Sequence, residues 1–259
     1  MAETSVLIER DGHVATVTMN RPESYNALNG SLRRQLRTAI SELEVKSDIR
    51  VVILKGEGRG FCAGADLTET AGLNQPTHQM IEEEYRPILT GIANSSKIWI
   101  AQVHGSAAGI GAALAMNCDL VTMSEDASIY MAFAAIGLVP DGGNCWLLLK
   151  GLGYHRAMQT ILEGRKIPAA EALRLGLANS THPMNELGRE TRALAAKLAG
   201  GAPMAASAVK RLLRQMDGMS FGDAIMAEGL EQTQLAKSAD FKEGVAAFLE
   251  KRSPKFTGS

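Results

Sequence analysis

The chain has 259 residues, with 27 basic and 28 acidic side chains, 46% hydrophobic residues and a formal net charge of -1. That balance excludes a disordered segment, which combines low hydrophobicity with high charge. It also argues against a nucleic-acid-binding protein, since no basic excess is available to build a positive face. Cys62, Cys118 and Cys145 are widely spaced, odd in number and form no CxxC pair, which argues against a disulfide framework or a zinc ribbon and suits a reducing compartment. The N-terminus has no basic start followed by an apolar core, so the expected location is the cytoplasm. No stretch approaches the roughly 20 apolar residues of a membrane span, and no membrane association is expected.

Residues 5–10 and 13–19 are β-rich runs around the turn pair Asp11-Gly12, which predicts an opening hairpin. A helix is expected next, capped by Asn29, with Leu32, Leu36, Ile40 and Leu43 at helical spacing and Arg33, Arg34, Arg37 and Glu42 between them. Residues 49–55 read as a buried strand because Val51, Val52, Ile53 and Leu54 form an unbroken apolar run. The polar segment 68–86, with Gly72, Asn74, Pro76 and then Glu82, Glu83 and Glu84, reads as a mobile loop leading to a solvated helix start. Strand, small-residue helix and strand follow over 98–103, 109–116 and 120–123. Alternation of this kind predicts an α/β fold. After about Gly142 helical patterns dominate, with three stretches over 205–215, 221–236 and 241–249. We therefore expect an α/β core over 1–200 and a helical region over 201–259 that packs on the core or on another subunit.

Two turns rich in glycine and alanine follow strands: Gly58 through Leu67, and His104 through Ala113. Small residues let backbone N–H groups approach a ligand, and two N–H groups aimed at one point form an oxyanion hole; tight strand-on-helix packing gives the same composition. Gly109-Ile110-Gly111 is not a dinucleotide fingerprint, since Leu114 occupies the place of the third glycine, and no P-loop is present. His13, His78, His155 and His182 show no metal-ligand spacing, so no metal is expected. His104 and Cys62 lie near the turns, where a satisfied structural histidine and a small buried thiol are the simplest roles.

Asn20-Arg21-Pro22 with Asn26-Ala27-Leu28, Gly60-Phe61-Cys62-Ala63-Gly64-Ala65-Asp66-Leu67, the run from His104-Gly105 to Cys118-Asp119, Ile136-Gly137-Leu138-Val139-Pro140-Asp141-Gly142-Gly143 and Ala247-Phe248-Leu249-Glu250-Lys251-Arg252 occur in that order. Together they resemble the crotonase (enoyl-CoA hydratase/isomerase) superfamily over nearly the whole chain. The resemblance implies a spiral of β-β-α units and a C-terminal helical region that builds homotrimers, often paired into hexamers. It also implies an acyl-CoA thioester substrate and no separate cofactor, the coenzyme being part of the substrate. It places the oxyanion hole at the N–H groups of Ala65 and Ile110. It puts the adenine and ribose near Ala63, Asp66 and Leu67, with Ala27 in the same binding set. Phe248 and Lys251 match positions that reach the coenzyme from a neighbouring subunit; a core phenylalanine and a solvated lysine are their plain alternatives. Glu23 departs from the pattern, standing where some relatives carry a lysine that faces coenzyme phosphates.

Hydratases of this superfamily use two glutamates. The matching positions here are Ala113 and Phe133, neither of which transfers a proton. Asp141 instead follows Pro140 where the hydratase pattern has glycine. One carboxylate beside an oxyanion hole can take a proton from C2 and return it at C4, which is isomerase chemistry. Met131-Ala132-Phe133, Leu138-Val139-Pro140-Asp141-Gly142, Trp146-Leu147-Leu148 and Lys251-Arg252-Ser253-Pro254 resemble the enoyl-CoA isomerases and, more closely, the phenylacetate-pathway epoxide isomerase branch. Pro-Asp-Gly is also a turn and helix-cap signal. Burial beside Phe133 and Trp146 is expected to raise the pKa of Asp141. Ile110, Phe133, Ile136 and Trp146 suggest an apolar acyl pocket that Tyr85 could line. Two other functions stay open: a hydratase that activates water through Asp141, and a non-catalytic acyl-CoA-binding homologue.

Overall fold

A computed structural model describes residues 4–70 and 76–259; Gly72 and Asn74 of the expected loop lie outside the described residues. β1 (Val6–Asp11) and β2 (Val14–Met19) form the opening antiparallel hairpin, with Asp11 paired to Val14. Its turn residues are therefore Gly12 and His13, one position later than Asp11-Gly12 suggested, and Gly12 takes the positive φ of 54°. α1 (Gly30–Glu44) is capped as expected, Leu32 N–H donating to the Asn29 side chain at 2.9 Å. β3 (Val51–Gly56) is followed by α2 (Leu67–Thr70). α3 (Thr77–Met80) continues through a π-helical turn, Ile81–Tyr85, into α4 (Arg86–Asn94). The described part of the expected loop is thus mostly helical.

β4 (Ile98–Val103), β5 (Ser106–Ala108) and α5 (Ile110–Asn117) form one β-β-α unit, and β6 (Leu120–Ser124), β7 (Ser128–Tyr130) and α6 (Asn144–Leu152) repeat it. The stretch after β3 follows the same plan, with isolated bridges, Cys62 to Ala107 and Ala65 to Leu28, in place of the short second strand. α7 (Tyr154–Leu162), β8 (Lys166–Pro168), α8 (Ala169–Arg174), β9 (Ser180–His182) and α9 (Met184–Ala199) complete the core, and α10 (Pro203–Gln215), α11 (Phe221–Leu235) and α12 (Ala239–Glu250) end the chain. The long strands build one sheet, in the order β1-β2-β3-β4-β6-β9, and the short strands a second, β5-β7-β8.

β3 lies between parallel neighbours, β2 and β4, and both its faces are covered. Val52 and Leu54 join the main core with Leu32, Leu36, Ile88 and Ile92, while Val51 and Ile53 pack with Ile100, Ala195 and Ala199 on the opposite side. This is why its apolar run is unbroken rather than alternating. The C-terminal helices are fastened to this core by a buried cation, since Lys210 Nζ donates to the carbonyls of Ile92 and Lys97 and to Asp119, all within 2.9 Å. α12 starts at a serine cap, with Phe241 N–H donating to Ser238 Oγ at 3.0 Å. Ser238→Ala is expected to cost about 1 kcal/mol, read as a lower urea midpoint with an unchanged slope. Among the described residues no helix is long and apolar enough to cross a membrane.

Candidate active site

Backbone pairing brings the two small-residue turns side by side. Cys62 N–H donates to Ser106 O at 3.1 Å and Ala108 N–H to Cys62 O at 2.8 Å. Two residues later Leu28 N–H donates to Gly64 O at 2.7 Å, and Asp66 N–H to Leu28 O at 3.4 Å, which makes Leu28 and Ala65 a parallel bridge. In such a bridge the residues flanking Ala65 bond to Leu28, so the N–H of Ala65 itself points to the other side. Gly109 has φ 53° and ψ -126°, a conformation closed to side chains, and reverses the chain so that Ile110 becomes the first residue of α5. Gly64, at φ 101°, touches it: a Cβ there would lie 3.0 Å from Ala108 O and 3.7 Å from Gly109 Cα. Among the described residues neither Ala65 N–H nor Ile110 N–H has a hydrogen-bond acceptor.

Asp141 comes to the same place from the third unit. Gly142 packs directly on α5: a Cβ at that position would lie 2.8 Å from Ile110 Cγ1 and 3.0 Å from Ala113 Cβ. Among the described residues Asp141 Oδ1 is buried and has no hydrogen-bond partner. Burial pushes the carboxyl above its ordinary range, partly offset by its own backbone N–H. Phe133 is buried and sits against Gly109, its Cζ 3.6 Å from where a Cβ would be. Trp146 is 49% exposed, with the Lys150 ammonium 5.8 Å from its ring. Ile136 is also exposed.

Tyr85, 2% exposed, lies in the π-helical turn. Burial is the main reason that its pKa is pushed up to about 12; Arg33 opposes the rise and the charge of Asp141 adds to it, which puts its hydroxyl within electrostatic reach of that carboxylate. Arg33 Nη1 lies 3.5 Å from the Tyr85 hydroxyl and donates to Leu28 O at 2.6 Å, while Nε donates to Glu84 at 2.5 Å. Arg33 is therefore buried, and Glu84 is its counter-ion rather than part of a solvated face. The sequence did carry a signal for this: Arg33 lies three residues before Leu36 and seven before Ile40, on the inner stripe of α1. Glu82 pairs with Arg86 at the surface, as expected of a solvated residue. Asn144 carried no such signal, yet it is fully buried between the Gly109 and Asp141 segments.

The remaining predicted residues divide. Ala63 is exposed beside the turn and Leu67 is exposed at the start of α2. Ala27 is buried, and its carbonyl is taken by Arg21 Nη1. Asp66 is buried and spends its carboxylate within the fold, accepting from Thr68 Oγ1 at 2.6 Å and from Arg21 Nη1 at 3.0 Å. Those partners, Thr68 first, hold it below the usual carboxylate range. Phe248 and Lys251 are not brought to these turns within one chain: Phe248 is 82% exposed and lines a groove of about 430 Å³ made by the C-terminal helices and Phe256. Lys251 is the left-handed cap of α12, at φ 56°. His104 Nε2 is satisfied by Gly58 O at 2.9 Å. The Cys62 thiol is fully buried and pushed up to about 12 by that burial, so it is no nucleophile at neutral pH. Among the described residues no group of three His, Cys, Asp or Glu side chains could hold a metal ion.

Comparison with known proteins adds four findings. The family model described as enoyl-CoA hydratase/isomerase matches residues 9–259. The chain is 40% identical, over the full length of both proteins, to a probable enoyl-CoA hydratase of Rhodobacter capsulatus. It is 35% identical, over 95% of each chain, to the 1,2-epoxyphenylacetyl-CoA isomerase of Escherichia coli. Among solved structures, an enoyl-CoA hydratase from Bacillus anthracis superposes with a TM-score of 0.94 at 28% identity, covering 98% of this chain and 100% of that one.

Proposed function

The chain belongs to the enoyl-CoA hydratase/isomerase family, and from that premise we propose that it is an acyl-CoA isomerase that moves a double bond by proton transfer through an enolate. The observation that carries this reading is the Asp141 carboxylate beside the paired turns, whose buried Oδ1 has no hydrogen-bond partner among the described residues, whereas Asp66 is held by Thr68 and Arg21. Gly142, the residue after Asp141, packs on Ile110, while the two positions where a hydratase of the family has glutamates hold Ala113 and Phe133, both buried.

In the proposed reaction a 3-enoyl thioester places its carbonyl oxygen between Ala65 N–H and Ile110 N–H. The Asp141 carboxylate takes a proton from C2. The C–H electron pair becomes the C1–C2 double bond of a dienolate, and the carbonyl π pair moves onto oxygen, where the two donors meet the developing charge. When the carbonyl re-forms, the electrons shift along the chain, C4 takes the proton back from Asp141, and the double bond rests between C2 and C3. Protons and electrons balance without a separate cofactor. The burial that raises Asp141 makes it a stronger base once ionised. Its exchange of C2 protons is therefore expected to rise with pH along an acid limb lying above the ordinary aspartate value of about 4. A pH profile of deuterium incorporation at C2 checks this, and a limb at or below about 4 contradicts it.

A hydratase reading has one finding in its favour: hydratase is the commoner name among the relatives, including a 2,3-dehydroadipyl-CoA hydratase 31% identical to this chain. Parallel assays separate the two. A 3-enoyl-CoA should gain conjugated absorbance much faster than a 2-enoyl-CoA loses it by hydration; dominant hydration overturns the isomerase reading, and acyl-CoA binding with no C2 exchange in either assay supports a non-catalytic homologue. The reading also includes assembly of copies into trimers or hexamers. It is supported by Phe221, Leu230, Phe248 and Leu249, large apolar side chains exposed on α11 and α12.

A further inference from the structure

The peptide joining Gly109 to Ile110 carries the Ile110 N–H at one edge and the Gly109 carbonyl at the other. In a planar trans peptide these two bonds point in opposite directions, so whatever holds the carbonyl also sets where the N–H points. Asn144 shares in holding it: Nδ2 donates to Gly109 O at 2.9 Å, and the same oxygen accepts the α5 N–H groups of Ala112 at 3.0 Å and Ala113 at 3.4 Å. The same Nδ2 donates at 2.9 Å to the backbone carbonyl of Asp141, which also accepts the Asn144 N–H at 3.1 Å. Asn144 is fully buried at the first position of α6, and among the described residues its Oδ1 has no partner. Its bonding is thus entirely on the donor side. The alternative amide orientation would set Oδ1 against two carbonyl oxygens, so the assignment follows from the partners.

We propose that Asn144 is a positioning residue that ties the two halves of the site together, aiming and polarising the Ile110 N–H through the Gly109 carbonyl while anchoring the Asp141 backbone to the same peptide. A peptide whose carbonyl accepts a hydrogen bond becomes a stronger donor at its N–H, because linked dipoles polarise one another. One buried side chain therefore links the segment of the base to the peptide that receives the charge. This inference rests on the oxyanion and base roles given above to Ile110 and Asp141.

The test reads the thioester carbonyl directly. A saturated acyl-CoA labelled with 13C at the carbonyl is bound to the enzyme, and its stretching frequency is compared with that of the free thioester by infrared difference spectroscopy. The parent enzyme lowers the frequency. Asn144→Ala loses most of that lowering, and its kcat falls roughly tenfold to a hundredfold with little change in KM, somewhat less than removal of an oxyanion donor. Asn144→Ser, whose hydroxyl can serve one carbonyl but not both, falls between the two. If folded Asn144→Ala keeps the parent's frequency and kcat, the proposal is overturned. If the parent itself shows no lowering, the oxyanion reading fails first and takes the proposal with it. Should neither variant fold, the side-chain amide resonances of Asn144 in the parent decide: they move when the acyl-CoA binds and stay put with coenzyme A alone, which has no thioester carbonyl. No movement with the acyl-CoA overturns the proposal.

Discussion

Asp141→Asn is expected to slow double-bond migration by about 10²–10⁴-fold while leaving acyl-CoA affinity within a few-fold, because the amide keeps the shape and loses the base. Stopped-flow absorbance at the conjugated thioester band, with the binding constant of a saturated acyl-CoA as control, measures both quantities. Unchanged turnover in a folded variant removes Asp141 from the mechanism. The same substitution is also expected to make the protein more stable at neutral pH. The native pKa of Asp141 is raised by burial, so folding favours its protonated form. Its contribution to stability is fully present below the unfolded-state pKa and is lost as pH rises through the native one. At pH 7, above the unfolded-state pKa, the raised native pKa therefore works against folding of the parent, and asparagine carries no such penalty. Urea denaturation of both proteins at pH 7 should give the variant the higher midpoint, and an equal or lower one contradicts the burial argument. A slower and firmer variant is the usual signature of a strained functional group.

Asn26→Ala is expected to lose about 3 kcal/mol of stability. Asn26 is fully buried; its Oδ1 accepts from Arg21 N–H, and its Nδ2 donates to the carbonyls of Glu57 and Gly60, each at 2.9 Å. Removing the side chain deletes three hydrogen bonds at roughly 1 kcal/mol apiece and leaves their partners exposed to that loss inside the fold. The backbone adds to the cost, since Asn26 sits at φ 58°, a conformation that asparagine tolerates better than alanine. Activity should fall as well, because these bonds hold the chain that leads from β3 into the turn with Ala65. Denaturant midpoints and C2 exchange rates measured together check this; a loss below about 1 kcal/mol would show that the loop is held elsewhere.

Much of this architecture was readable from residue patterns with a direct physical cause. The Asn29 cap, the apolar run of β3 and the order of strand and helix depend on neighbours in sequence. The three final helices appear where periodicity put them, within two residues at each end. Features that depend on distant partners were not readable. β8 and β9 have three residues each and exist because β7 and β6 offer them an edge. The Glu82 to Glu84 run looked solvated because nothing in its own segment reveals that Glu84 faces a buried arginine on α1. The site shows the same division. Asp141, Ala65 and Ile110 were marked by motif and lie on turns held against one another, whereas Asn144 bonds to carbonyls that only the folded chain supplies.

The contact of Gly142 with α5 makes empty space a part of the site. A Cβ at position 142 would lie 2.8 Å from Ile110 Cγ1 and 3.0 Å from Ala113 Cβ, so the segment that carries Asp141 comes this near to α5 because glycine stands there. The reach of the base toward the helix is set by a side chain that is missing.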